Sequence, residues 1–473
     1  MTKIVLEIPE GLKGLEQPLR ALLSECSAGV EQAGSGRRME YESYEGRLAQ
    51  AMAAVECAAH AATLSALDID AEQVLINDRL HRRVGRNSAP YRTQAGEVEL
   101  TRSLFRPADE RNAKTVDLVS LRAGVIGDGW LPGTARAIAH LLQQGPSREA
   151  EQTAQRLGRL PYSRSSFERV GHEVAERVVK LGAELQEQVV AKVDLPADTA
   201  TLSVSLDRVS MPMEEPRPRP KGRPRKGAPK KPVQRVYRMA YCSTLTMHDA
   251  QGKALKTLRY GCMPQSDIDL LLSAMASDVQ VLRAQHRDPL VLLLLADGAA
   301  ENWTLLDKHF GSGALGMPDR LIDFWHLLEK LAAAANVLYA DRASAEVGRW
   351  RMRLMTTNAA AQEILEELTC SGKEHVRVGQ NRPVHEAITY LQNNHHRMHY
   401  AGARRRGLPI GSGNVEATCK SLVGVRMKRS GSRWKHSTGE QILKLRALSL
   451  SDCWDDAMDI TLQAPPVYAK AVA

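Results

Sequence analysis

From Leu290 to Ala296 every residue is aliphatic, and the run stops on Asp297-Gly298. A membrane span needs about 20 apolar residues, so this stretch is read as a β-strand buried on both faces. A strand of that kind needs covering layers above and below the sheet. At 473 residues the chain can supply them and is too long for one ordinary core, so two or three domains are expected. Aromatic residues make up only 4% of it, which leaves the cores to Leu, Val and Ala.

A second strand is predicted within Thr201–Met211, where Leu202, Val204 and Leu206 alternate with serines before Asp207. Strand character resumes at Val236–Thr246, turns at His248–Gly252 and returns over Ala254–Tyr260. Ser266–Gln285 reads as a helix, followed by the buried run, a short helix over Glu301–Phe310 and a fifth strand over Leu321–Phe324. An antiparallel meander followed by a helix and a parallel strand makes a mixed sheet with helical cover, an α/β fold.

The flanking segments divide the chain further. Residues 1–130 read as an accessory region, with an alanine-rich helix over Arg47–Leu67 and a short exposed strand over Gly96–Leu100. Residues 131–194 read as consecutive helices. Thr134–Gln144 is one, Ser147 caps the next, and Ser165-Ser166-Phe167-Glu168 is a capping box for a third. With Arg164 and Arg169 at its start, that third helix is a candidate helix-turn-helix reader of DNA. Residues 201–324 form the first part of the sheet domain, 325–400 a helical block, and 401–473 the last part with a basic C-terminal region. Between the first two strands, Glu214–Arg238 mixes six prolines with Arg223, Arg225, Lys226 and other basic residues. Proline at that density forbids a regular ladder, so an extended basic arm is expected, able to neutralise phosphates without choosing a sequence.

Three acidic groups stand at the ends of such elements: Asp207, Asp297 and Glu416, the last in a turn Gly411-Ser412-Gly413-Asn414-Val415-Glu416 that opens a helix capped by Ser412 or Asn414. Carboxylates are hard oxygen donors suited to Mg²⁺, with Mn²⁺ as a substitute. Two ions about 3.5–4 Å apart can activate an attacking oxygen and stabilise a leaving 3′-oxygen. Asp323-Phe324-Trp325-His326 competes for a role, with His326 an auxiliary catalytic candidate and Asp323 a supporting one. Lys420, Arg426, Lys428, Arg429, Arg433 and Trp434 follow Glu416, and with the net charge of +9 they favour an extended phosphate backbone as partner. Seven scattered cysteines read as free thiols in a reducing cytoplasm. No signal peptide or membrane span is visible.

The strand ending in Asp207, Ala296-Asp297-Gly298, Asp323-Phe324-Trp325-His326, Ile410–Glu416, Cys419-Lys420 and Arg426–Trp434 together resemble a bacterial DDE-type insertion-sequence transposase of the ISKra-type family. The resemblance covers roughly 201–447. It implies an RNase H-like mixed-sheet catalytic core interrupted by a helical insertion and preceded by a mainly helical DNA-binding region. It also implies that Asp207, Asp297 and Glu416 are the metal-binding triad. Double-stranded DNA, as terminal inverted repeats and target DNA, would be the partner of a homo-oligomer in the cytoplasm at the nucleoid. An RNase H-like nuclease without strand joining and an inactive DNA-binding derivative are the alternative readings.

Overall fold

The structure, a computed structural model, describes residues 7–216, 233–311, 313–372 and 382–472. Two compact units emerge, Met1–Lys180 with Met458–Ala473, and Leu181–Ala457. They cut across the five sequence segments, because 458–473 leave the C-terminal segment and join the N-terminal unit.

In the first unit, helices Glu16–Gly34 and Tyr41–Ser65 precede β1 (Gln73–Ile76), β2 (Arg79–Arg92) and β3 (Glu97–Pro107). With the C-terminal strand Ala469–Ala471 they make a four-stranded sheet in the order β3-β2-β1-C-terminal strand. The turn between β1 and β2 holds Asn77 and Asp78 at φ 46° and 64°, a left-handed pair that matches the twist of a tight hairpin. The accessory region thus combines helices with a sheet, and the short exposed strand is a long one, Glu97–Pro107. Glu97 and Glu99 face solvent while Val98 and Leu100 are buried with Tyr91, Leu64 and Val119.

Helices Pro132–Gln144, Ser147–Arg156 and Arg164–Ala191 follow, the last interrupted at Gly182 (φ 49°, ψ −118°). The capping differs from the expectation. Pro146 occupies the N-cap of the second helix, and the Ser147 hydroxyl donates to Glu168 instead. The third helix starts one residue before Ser165, so its capping box does not form. Arg164 pairs with Glu168 and Arg169 with Asp128.

In the second unit, β4 (Thr201–Pro216) and β5 (Val233–His248) form a long antiparallel hairpin, and β6 (Ala254–Cys262) pairs antiparallel with β5. Helix Ile268–Gln285 crosses to β7 (Val291–Ala296), parallel to β4. Helix Ala300–Phe310 then leads to β8 (Asp319–Ile322), parallel to β7. The order is β6-β5-β4-β7-β8, a mixed sheet with flanking helices. Leu292 to Ala296 are buried throughout, as a central strand covered on both faces requires.

Glu214–Pro216 and Val233–Arg238 do not belong to an extended arm as expected, because the β4–β5 ladder runs on through Pro212 to the pair Pro216↔Val233. The reason lies in the direction of alternate peptide groups. The Pro212 carbonyl accepts from Trp434 N–H and the Glu214 N–H donates to the Trp434 carbonyl, so even-numbered residues here turn their polar groups away from β5. Proline at 212 or 216 therefore removes no hydrogen bond from the hairpin. Arg223, Arg225 and Lys226 lie outside the described residues.

Helices Phe324–Tyr339, Ala343–Thr356, Ala360–Gly372 and Pro383–Asn394 make up the helical block between β8 and the Glu416 turn. They bury Leu327, Leu331, Trp350, Leu354, Ile364 and Leu391. Helix Gly413–Thr418, a π-helical stretch Cys419–Gly424 and helix His436–Leu450 then complete the core. Val415, Leu422, Val423, Met427 and Leu443 pack with Met211, Met213, Cys242 and Met263.

Candidate catalytic centre

The parallel pairing of β4 with β7 ends at Val204↔Leu294, and three residues beyond each partner stand Asp207 and Asp297. Asp297 follows the last residue of β7. Asp207 does not end its strand, contrary to the sequence reading, since β4 continues for nine residues along β5. The two carboxylates sense each other. Burial and then the charge of Asp297 raise the pKa of Asp207, against the Arg208 N–H, the Cys419 thiol and the charge of His326. The Cys419 sulfur lies 3.5 Å from Asp207 Oδ2.

Asp297 is held from its own side of the sheet. Ala299 N–H and Asn302 Nδ2 donate to its Oδ1 at 3.1 and 3.2 Å, and Trp303 Nε1 donates to its backbone carbonyl at 2.6 Å. Asn302 Nδ2 also reaches the Leu206 carbonyl at 3.3 Å, so one buried amide touches both the strand bearing Asp207 and the side chain of Asp297. Gly298 is needed for a close approach, but to an aromatic ring. A Cβ there would stand 2.3 Å from the Tyr390 ring.

Asp323 caps helix Phe324–Tyr339 through His326 N–H (2.8 Å) and accepts from both the backbone N–H and the hydroxyl of Ser412. Burial works against its ionisation, yet the His326 side chain and these N–H and O–H donors bring its pKa down to about 2. The same hydrogen bond, opposed by partial burial, lifts His326 to about 9, so the pair is ionised at neutral pH. Neither expected cap closes the helix bearing Glu416. The Ser412 hydroxyl is committed to Asp323 and the Asn414 amide to Thr246 (3.4 Å).

Glu416 stands on the first turn of helix Gly413–Thr418 and pairs with Lys420 at 2.7 Å. Among the described residues no group of three or more His, Cys, Asp or Glu is arranged to hold a metal ion. The donor set nevertheless fits a hard divalent cation. Asp207 and Asp297 offer carboxylate oxygens whose mutual repulsion a cation would relieve. Glu416, whose Oε1 pairs with Lys420, is the third carboxylate of the set.

Of the basic cluster, Lys420, Lys428 and Arg433 are exposed and Arg429 is half-buried. Arg433 also pairs with Glu214 (3.1 Å). Arg426 is buried, its guanidinium 5.0 Å from the centre of the Trp434 ring. The Trp434 indole donates to the Met427 carbonyl (3.0 Å), so this tryptophan anchors the turn after Met427. Asn302, Cys419 and Tyr390 were missed as site residues. Cys419 alone had a signal, lying within the motif that follows Glu416.

No family model matches the chain and no curated protein matches it. Among solved structures it is similar to the "Drosophila P element transposase strand transfer complex", at 10% sequence identity and a TM-score of 0.36, over 68% of this chain and 92% of that one. A likeness at that level identifies neither fold nor activity. No described helix is long and apolar enough to cross a membrane.

Proposed function

We propose that this chain is a DDE-type DNA transposase of the ISKra-type insertion-sequence group, which cleaves the ends of its element and joins them to target DNA. The observation that carries the reading is the pair Asp207 and Asp297, three residues beyond the last paired positions of two adjacent parallel strands. The mixed five-stranded sheet with helical cover supports an RNase H-like core around that pair.

In this reading Asp207, Asp297 and Glu416 hold Mg²⁺ or Mn²⁺, which when bound supplies Lewis-acid assistance to phosphoryl transfer. Asn302 fixes the rotamer of Asp297 by its bond to Oδ1. Glu416 trades Lys420 for the centre, leaving that ammonium free for a phosphate. Lys428, Arg429 and Arg433 neutralise the strand being cut and hold it in line. His326, an imidazolium at neutral pH, adds positive charge close to both aspartates. The protein acts as a homo-oligomer on paired inverted repeats.

The test is incubation of the purified chain with DNA carrying the repeats that flank its gene, plus a supercoiled target, in Mg²⁺. Covalent end–target products are the expected result. Nicking without joined products would favour an RNase H-like nuclease, and binding without any cleavage an inactive DNA-binding derivative.

A further inference from the structure

Asp323 lies between the strand end that leads to Asp297 and the turn that leads to Glu416. Its backbone N–H donates to the carbonyl of Ala296 at 2.8 Å, and the next N–H, of Phe324, donates to the carbonyl of Ile410 at 2.9 Å. Its carboxylate is 3% exposed and fully engaged. Oδ1 takes the His326 N–H, while Oδ2 takes the Ser412 N–H and, at 2.8 Å, the Ser412 hydroxyl. Ser412 then starts the helix of Glu416. Its carbonyl accepts from Val415 N–H at 3.0 Å and from Glu416 N–H at 3.5 Å.

A helix cap needs only the bond to His326 N–H. The two bonds to Ser412 span 89 positions of sequence and serve no cap. They fix the residue from which the short helix of Glu416 begins, a helix whose own N-cap has no side-chain hydrogen bond. We propose that Asp323 is a positioning residue for Glu416, tying the turn at Ser412 to the end of β7 so that Glu416 stands at a set distance from Asp297. The inference rests on the reading of Glu416 as the third acidic residue of the centre. A carboxylate is required because both of its oxygens accept, Oδ1 from the His326 N–H and Oδ2 from Ser412, whereas an amide has a single acceptor oxygen. An amide that turned its NH₂ toward Ser412 would set donor against donor.

The test uses the full-length chain without DNA. Asp323→Asn should speed amide hydrogen exchange over 412–418 while leaving Leu293–Ala296 protected. It should also weaken Mn²⁺ binding, read by calorimetry, by about 10–100-fold, the range for residues that orient metal ligands. Ser412→Ala should do the same more mildly, and Ser412→Thr, which keeps the hydroxyl, should bind Mn²⁺ like the wild type. In a Glu416→Gln background Asp323→Asn should cost nothing further, since it acts only through Glu416. Unchanged exchange over 412–418, or a full additional loss in that background, overturns the proposal. If Glu416→Gln alone binds Mn²⁺ as the wild type does, the reading of Glu416 falls and the proposal with it.

Discussion

Replacing Asp278 with asparagine should stabilise the second unit at neutral pH and leave it unchanged in acid. Asp278 lies on helix Ile268–Gln285, 2% exposed, and accepts hydrogen bonds from the Gln186 amide and, at 2.9 Å, from the Tyr260 hydroxyl. Burial outweighs those bonds and raises its pKa from the ordinary 3.8 to about 6. An acid that holds its proton more tightly when folded stabilises the fold most below the unfolded value. That advantage is lost as pH rises from 3.8 to about 6, after which the cost of the buried charge is complete. The rise corresponds to about 3 kcal/mol. Asparagine keeps the shape and can present its carbonyl oxygen to both donors, so Asp278→Asn removes the charge without orphaning either partner. At about 2–4 °C per kcal/mol for a unit of roughly this size, melting at pH 7.5 should rise by about 6–12 °C. Scanning calorimetry of both proteins at pH 4 and pH 7.5 measures this. A lower melting temperature for the variant at pH 7.5, or the same gain at both pH values, would refute the argument.

Gly298→Ala should destabilise the fold by about 1–3 kcal/mol through its clash with the Tyr390 ring, and Tyr390→Leu should recover part of that loss in urea titrations. Lys420→Ala should leave the melting temperature essentially unchanged, since the pair with Glu416 is exposed, yet it should tighten Mn²⁺ binding without DNA and weaken DNA binding on a filter. Arg446→Met should cost about 3 kcal/mol, because the buried guanidinium donates to the Ser421 and Leu422 carbonyls of the π-helical stretch, where unpaired groups are expensive. DNA affinity should fall steeply with salt, and the slope should become shallower by about one for each phosphate contact removed among Lys428, Arg429 and Arg433.

The centre of the sheet was legible because its signal is continuous. An aliphatic run as uniform as Leu292–Leu295 has one environment available to it, and Asp297 marks where that environment stops. The alternation before Asp207 likewise revealed β4 but not its length. Its continuation depends on which side Pro212 and Pro216 turn their missing N–H, the side on which Trp434, more than two hundred residues away, bonds to Pro212 and Glu214. The caps were misread for a related reason. Ser147, Ser412 and Asn414 have the chemistry of N-caps, but Glu168, Asp323 and Thr246 are distant partners that claim those side chains first. Residues 73–107 carry the same alternation that signals strands elsewhere, yet only Gly96–Leu100 was read as one, because the arginines of β2 obscure its pattern. Arg426 looked like one more surface cation. It is 6% exposed instead, with its guanidinium 5.0 Å from the centre of the Trp434 ring.

The action of Asp207 and Asp297 as one unit, three residues beyond the last paired positions of their two strands, is the central claim. It is tested most directly by cleavage of DNA bearing the element's ends in Mg²⁺ by the wild type, Asp207→Asn and Asp297→Asn, with end binding measured in parallel. Each variant should bind the ends as the wild type does and cut them at least 10³-fold more slowly, about 4 kcal/mol in the barrier. Cleavage at the wild-type rate by either variant would contradict the claim.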